Sequence, residues 1–213
     1  LSYNSGETVV VSAGTYTVSF DDVDGYLTPL DMDVSADGES VVVTGAYYRA
    51  DILASEDDHG LKSPRGIAAT SRYVYVADAG NSRIIVRDMV TGTWSTLAGP
   101  GTGLGQFTQP LGVSVASNGD LWVADTGNHR IQRRSASTGA WTAWGSRGTG
   151  VGQFNAPYDV DVDAAGNAYV ADYHNSRIQK MSAAGAWSII VNGGVSAGRV
   201  RFPSGITVGG NAM

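Results

Sequence analysis

The segments VADAGNSRI at 76–84, VADTGNHRI at 123–131 and VADYHNSRI at 170–178 are one nonapeptide occurring three times, 47 residues apart on both occasions. A fixed period of that length marks a repeat architecture in which each copy is one supersecondary unit. Reading outward, a Gly-rich approach and a turn proline precede two copies, as Gly105-Gln106-Phe107 with Pro110 and Gly152-Gln153-Phe154 with Pro157. Phe202-Pro203 opens a further copy near the end. An aromatic residue follows each nonapeptide after a small-residue turn, at Trp94, Trp141 and Trp187.

Each unit divides into four short runs, called a to d. In the best copy these are Leu111–Ala116, Leu121–Ala124, Arg130–Ser135 and Ala140–Trp144. The runs alternate or are β-branched and are bounded by Gly, Asn and Pro, which is how strands and hairpin turns read. Four strands joined by hairpins make an antiparallel meander that cannot bury both faces alone. Stacking meanders around an axis buries them and leaves only short edges. The expected fold is therefore all-β: a β-propeller of four-stranded antiparallel blades. Degenerate copies extend the pattern toward both ends, with strand a beginning near residues 30, 65, 111, 158 and 204. Thr15 to Phe20 reads as an outer strand d preceding the first of these. The count gives five blades, one of them incomplete, or part of a six-bladed ring. Residues 1–213 are expected to form a single propeller domain, whole or excerpted from a longer chain.

Glycine is abundant, at 29 of 213 residues, without the three-residue period of collagen, so it serves tight turns. The net charge of −6 disfavours an extended phosphate backbone as partner, because nucleic-acid binding gains from a basic patch. There is no cysteine, which excludes disulfides and thiolate sites. No apolar run approaches the roughly 20 residues of a membrane span.

The pattern G-Q-F-x-x-P-x-G-V-x-V followed by G-x-x-x-V-A-D-x-x-N-x-R-I-Q resembles the NHL repeat, best in Gly105–Gln132 and again in Gly152–Gln179. The second copy departs from it with Asp159 where the family has Gly. The resemblance implies a binding platform for protein or RNA, or a sensor domain. One branch is the zinc-dependent peptidyl-α-hydroxyglycine α-amidating lyase of the secretory pathway.

Place within a blade decides how candidate residues read. Asp78, Asp125 and Asp172 end strand b, and Arg83, Arg130 and Arg177 open strand c across the loop. An Asp–Arg pair repeated in every good blade is read as structure, since an enzyme needs one such site. Trp94, Trp141 and Trp187 are expected to pack between blades, while Trp122 and Trp144 do not repeat and are candidates for a surface contact. His59, His129 and His174 lie in connections on one face, but the loops holding His129 and His174 are expected to sit away from the channel, so no zinc site is assembled from them. Strand a alternates, and its polar phase is expected to face the axis. There two blades place Asp31, Asp33, Asp159 and Asp161, four carboxylates that would repel unless a cation sits among them. Ca²⁺ is the expected cation.

These readings lead to a non-enzymatic binding or structural scaffold, extracellular or on a cell surface, whose partner is another protein or another domain of the parent molecule. The alternative is a metal-dependent lyase or hydrolase at the channel mouth, resembling the amidating-lyase branch.

Overall fold

The computed structural model describes residues 60–194, 196 and 198–208, together with the backbone strands at 14–18, 26–27, 32–36 and 48–49. The chain divides into two compact units, Leu1–Asp58 and His59–Met213.

In the first unit, β1 (Gly14–Val18) pairs antiparallel with β3 (Met32–Ala36), and β2 (Tyr26–Leu27) with β4 (Tyr48–Arg49). This corrects the expectation that the runs at 15–20 and 30–34 form the outer strand of one blade and the inner strand of the next. The register sets Tyr16 opposite Val34 and Val18 opposite Met32. Two strand-forming runs close in sequence thus pair their backbones directly, which needs no intervening strands.

The second unit repeats one design three times. The first sheet is β5 (Pro64–Ala69), β6 (Tyr73–Asp78), β7 (Arg83–Asp88), β8 (Trp94–Pro100) and β9 (Gln106–Phe107). The second is β10 (Pro110–Val115), β11 (Leu121–Asp125), β12 (Arg130–Arg134) and β13 (Trp141–Trp144). The third is β14 (Pro157–Val162), β15 (Ala168–Asp172), β16 (Arg177–Met181) and β17 (Trp187–Val191). Every neighbouring pair is antiparallel except β8 with β9. That parallel pair corrects the expectation of wholly antiparallel blades. After the outer strand the chain reverses twice through its glycines, and the Gln-Phe segment returns alongside before crossing to the next inner strand. The parallel bridges Arg147–Phe154 and Gly193–Val200 repeat the contact in the following units.

The inner strands β5, β10 and β14 each shift register just after their proline. A bulge at this point bends the strand and re-aims the side chains that follow it. The residue before each proline, Ser63, Gln109, Ala156 and Phe202, adopts positive φ between 46° and 52°. None of these is glycine, so each turn is held against a local preference.

Two apolar clusters lie between blades. Ala77, Ile84, Phe107, Val113, Leu121 and Val123 join the first sheet to the second. Trp122, Ile131, Phe154, Val160, Val162 and Val170 join the second to the third. Trp141 meets Phe107 edge-on at 5.3 Å and Trp187 meets Phe154 at 5.1 Å, so these outer aromatics do pack between blades. Trp122, expected at the surface, is instead buried at 3% exposure, stacked on Trp144 at 5.4 Å with Arg133 beside both rings. Its place on a second strand, enclosed by neighbours on both faces, explains the difference.

Candidate functional site

The repeat supplies its own control: what recurs in every blade holds the fold, and what departs in one blade needs another explanation. The Asp–Arg pair recurs. Asp78 meets Arg83 at 2.6 Å, Asp125 meets Arg130 at 2.7 Å and Asp172 meets Arg177 at 2.7 Å, with all three carboxylates fully buried. Asp125 also accepts the Thr108 amide and the side-chain amides of Asn128 and Gln132. Arg130 in turn donates to the carbonyls of Thr102, Gly103 and Gln106, tying the Gly-rich approach to the blade. The pair is structural, as its repetition implied. Gln132 and Gln179 are fully buried members of the same network that the sequence showed only as motif letters.

The departures cluster in the third blade and at its border with the second. The residue closing the b-to-c turn is Ser82, His129 or Ser176, each in the left-handed conformation. Each accepts the backbone N–H of the residue before the next proline: Ser82 Oγ from Gln109 at 3.1 Å, His129 Nδ1 from Ala156 at 3.0 Å, and Ser176 Oγ from Phe202 at 3.3 Å. This bond latches one blade to the next at the strained turn. With Nδ1 accepting, a neutral His129 carries its proton on Nε2. Burial lowers the His129 pKa, and Arg147 and then His174 press in the same direction, while Asp172 opposes them.

His174 stands where the other turns have Gly80 and Gly127. A Cβ on Gly127 would meet Thr108 Cγ2 at 2.6 Å, and one on Gly80 would meet the Lys62 carbonyl at 2.6 Å. The third turn admits a side chain at this place, and there His174 N–H reaches the Asn155 carbonyl at a longer 3.1 Å. Tyr158 and Tyr173, matching Leu111 and Thr126 of the preceding blade, stack at 3.9 Å and 6°. His174 lies edge-on to Tyr173 at 5.0 Å.

A cavity of about 860 Å³ gathers Arg65, His129, Arg147, Tyr158, Asp159 and His174. Gly66 and Gly112 of the inner strands line it beside Gly80, Thr126 and Gly127 of the b-to-c turns. This corrects the expectation that those loops stand apart from the channel. The turns lean over the neighbouring inner strand, as Thr126 Oγ1 donates to the Pro157 carbonyl at 2.7 Å. His59 lies outside the described residues. Arg147 and Tyr158 were missed, although comparing the copies position by position, where Arg147 faces Pro100 and Tyr158 faces Leu111, would have found them.

The inner strands also border a second cavity of about 600 Å³, which holds Asp159, Asp161, Ser114 and Thr207. Asp159 Oδ2 accepts Ile206 N–H at 3.0 Å and its Oδ1 accepts Val160 N–H at 2.9 Å. Asp161 accepts Val208 N–H at 2.8 Å and the Ser114 hydroxyl at 2.7 Å. Both carboxylates therefore staple the third inner strand to Ser204–Val208, and Asp161 to the second as well. Asp159 fits because its neighbours are glycines, for a Cβ on Gly112 would stand 2.4 Å from Asp159 Oδ1. Burial raises the Asp159 pKa; the amides of Ile206 and Val160 oppose this, and Asp161 adds to it. Asp31 lies outside the described residues, as does the side chain of Asp33. Among the described residues no group of three His, Cys, Asp or Glu side chains converges as a metal shell would require. The described donors thus do not fit a zinc ion, and no chemical step is assigned to one.

Residues 107–133 and 154–181 match the family model described as NHL repeat. No curated protein matches the chain. Among solved structures, a chain of the nidogen/laminin complex is 19% identical with TM-score 0.57, covering 89% of this chain and 66% of its own length. Virginiamycin B lyase from Staphylococcus aureus is 15% identical with TM-score 0.50, and 62% of this chain spans 42% of it. A gluconolactonase from Xanthomonas campestris is 17% identical with TM-score 0.50, and 61% of this chain spans 47% of it. This chain thus spans less than half the length of either enzyme.

The likeness to a lyase and a lactonase corrects the expectation of a non-enzymatic scaffold that leans away from catalysis, since the fold is one that carries catalytic sites. The earlier expectation looked for chemistry in residues that repeat and discounted the unrepeated histidines. None of the described helical turns is long and apolar enough to cross a membrane. Three sheets are built to one plan, and the second and third span the residues that match the NHL-repeat model, so this part of the chain consists of NHL-type propeller repeats.

Proposed function

We propose that this chain is the catalytic propeller, or part of it, of a lyase or hydrolase acting on a small polar molecule in the cavity of His129 and His174. The carrying observation is that the departures from the repeat at His129, Tyr158, Asp159 and His174 line one cavity. His129, kept neutral and fixed by its latch, presents Nε2–H as a donor to a developing oxyanion. Arg147 adds charge beside it. His174, exposed to the cavity, is the base that takes a proton from a carbon acid or from water. The mechanism is carried by these side chains.

Reverting each histidine to its repeat residue tests this. His129→Ser and His174→Gly restore what the other blades hold and should leave folding intact. In a screen of gluconolactone, virginiamycin B and simple esters, each reversion should lower turnover about 100-fold or more. Turnover unaffected by both reversions would overturn the reading.

The blades are read as part of a six-bladed ring, supported by a match that uses 89% of this chain but 66% of the nidogen/laminin chain. The same likeness supports an extracellular setting and a partner that is another protein or another domain of a longer parent.

A further inference from the structure

The cavity combines an unusual charge with donors that the fold leaves unused. The protein is acidic, with net charge −6, yet the cavity lining carries Arg65, Arg147, His129 and His174 against the single carboxylate of Asp159. That carboxylate is committed elsewhere, to the amides of Ile206 and Val160. Arg72, Arg83, Arg130, Arg133 and Arg177 each face an aspartate. Neither Arg65 nor Arg147 pairs with an acid among the described residues. Arg134, Arg199 and Arg201 are likewise without an acid partner among the described residues, and what sets Arg65 and Arg147 apart is that both line one cavity with His129 and His174.

His129 supplies a third donor. Its Nδ1 is occupied by Ala156, so the remaining ring N–H is the one it can offer. Guanidinium groups present a planar fork of N–H donors matched to carboxylate and phosphate oxygens. Tyr158, stacked on Tyr173, gives the same cavity a flat wall.

We infer that the cavity takes a substrate bearing an anionic group, a carboxylate or phosphate, held by Arg147 and Arg65, with His129 Nε2–H left for the oxyanion that develops at the reacting centre. This rests on the enzymatic reading above and names its substrate class. The overall acidity then acts as a filter, because an anion repelled by most of the surface is retained only where the cations converge.

Titration calorimetry of the intact chain with inorganic phosphate at low ionic strength tests it. Phosphate should bind, and Arg147→Gln and Arg65→Gln should each weaken binding about tenfold. Arg134→Gln, on β12 and outside the cavity lining, should bind as the parent does. Absence of binding up to about 50 mM phosphate, or equal binding by Arg147→Gln and the parent, overturns the inference. The two readings fail separately. Phosphate indifference with His174-dependent turnover of a neutral ester sinks the anion alone. Arg147-dependent phosphate capture with turnover indifferent to His174 sinks the catalytic assignment alone.

Discussion

His129 Nδ1 accepts the backbone N–H of Ala156 at 3.0 Å, the place held by a serine hydroxyl at the neighbouring blade boundaries. The bond crosses from the second blade to the third and closes on a residue with φ of 52°. His129→Ser should therefore preserve stability, to within about 1 kcal/mol, because serine makes the same bond in two other copies. His129→Ala leaves the amide of a nearly buried residue without an acceptor and should cost about 1–3 kcal/mol. Urea unfolding of the two variants checks this, and equal stability of both would remove the latch.

The same residue sets a pH dependence. Burial holds the folded His129 pKa below its ordinary value, helped by Arg147 and His174. A depressed pKa in the folded state means that the unfolded chain takes up the proton first. The contribution to stability is complete above about pH 6.5 and is lost as pH falls toward the depressed folded value. Thermal melts between pH 8 and about pH 5 should show the parent losing ground to His129→Ser on the acid side. Parallel curves would contradict the assignment.

Asp159 should behave in the opposite sense. Its folded pKa is raised, mainly by burial. Its stabilising contribution is present below the unfolded value near 3.9 and is lost as pH rises through the raised folded value. Asp159→Gly, the residue at this place in three of the other four copies, should gain relative to the parent as pH rises from about 4 to 7. A pH-independent difference would mean that burial is not what governs this carboxylate.

Asp125 tests the repeated network. Asp125→Ala removes the acceptor of Arg130, Asn128, Gln132 and the Thr108 amide at once. Losing one partner of a buried pair with this many dependents should cost about 3–5 kcal/mol. Chemical denaturation measures it, and a loss below about 1 kcal/mol would show the network to be replaceable by water.

Calcium at the carboxylates of Asp159 and Asp161 is a separate proposal, read by titration. It expects a melting temperature that falls on chelation and a heat of Ca²⁺ binding that vanishes in the double variant Asp159→Asn, Asp161→Asn. No heat in the metal-stripped chain would leave Asp159 and Asp161 as inter-strand hydrogen-bond acceptors alone.

The repeated features were legible because repetition averages over context. Asp125, Asn128 and Arg130 recur every 47 residues, Pro110 and Trp141 every 46 or 47, and each does in the described blades what its chemistry allows in a hairpin meander. The site was illegible for the complementary reason. His129 and His174 differ by two places within their loops, and along the chain that difference argued against a common site. The b-to-c turns lean over the next inner strand, and this curl brings both rings to the cavity that Asp159 and Arg147 share.

By itself the sequence determined strands a to d of the three good copies, their turns and the buried Asp–Arg pairs, because these depend on alternation, backbone preference and partners within a few residues. Only the tertiary structure decided that Trp122 is enclosed, that Asp159 and Asp161 spend their oxygens on the neighbouring strand, and that His129 replaces a serine latch. Each of these is a contact between residues of different strands or blades, some of them a full repeat of 47 residues apart. The physical reason is that stacking sets which faces meet, and a one-dimensional pattern encodes the period of a blade but not its neighbour's approach.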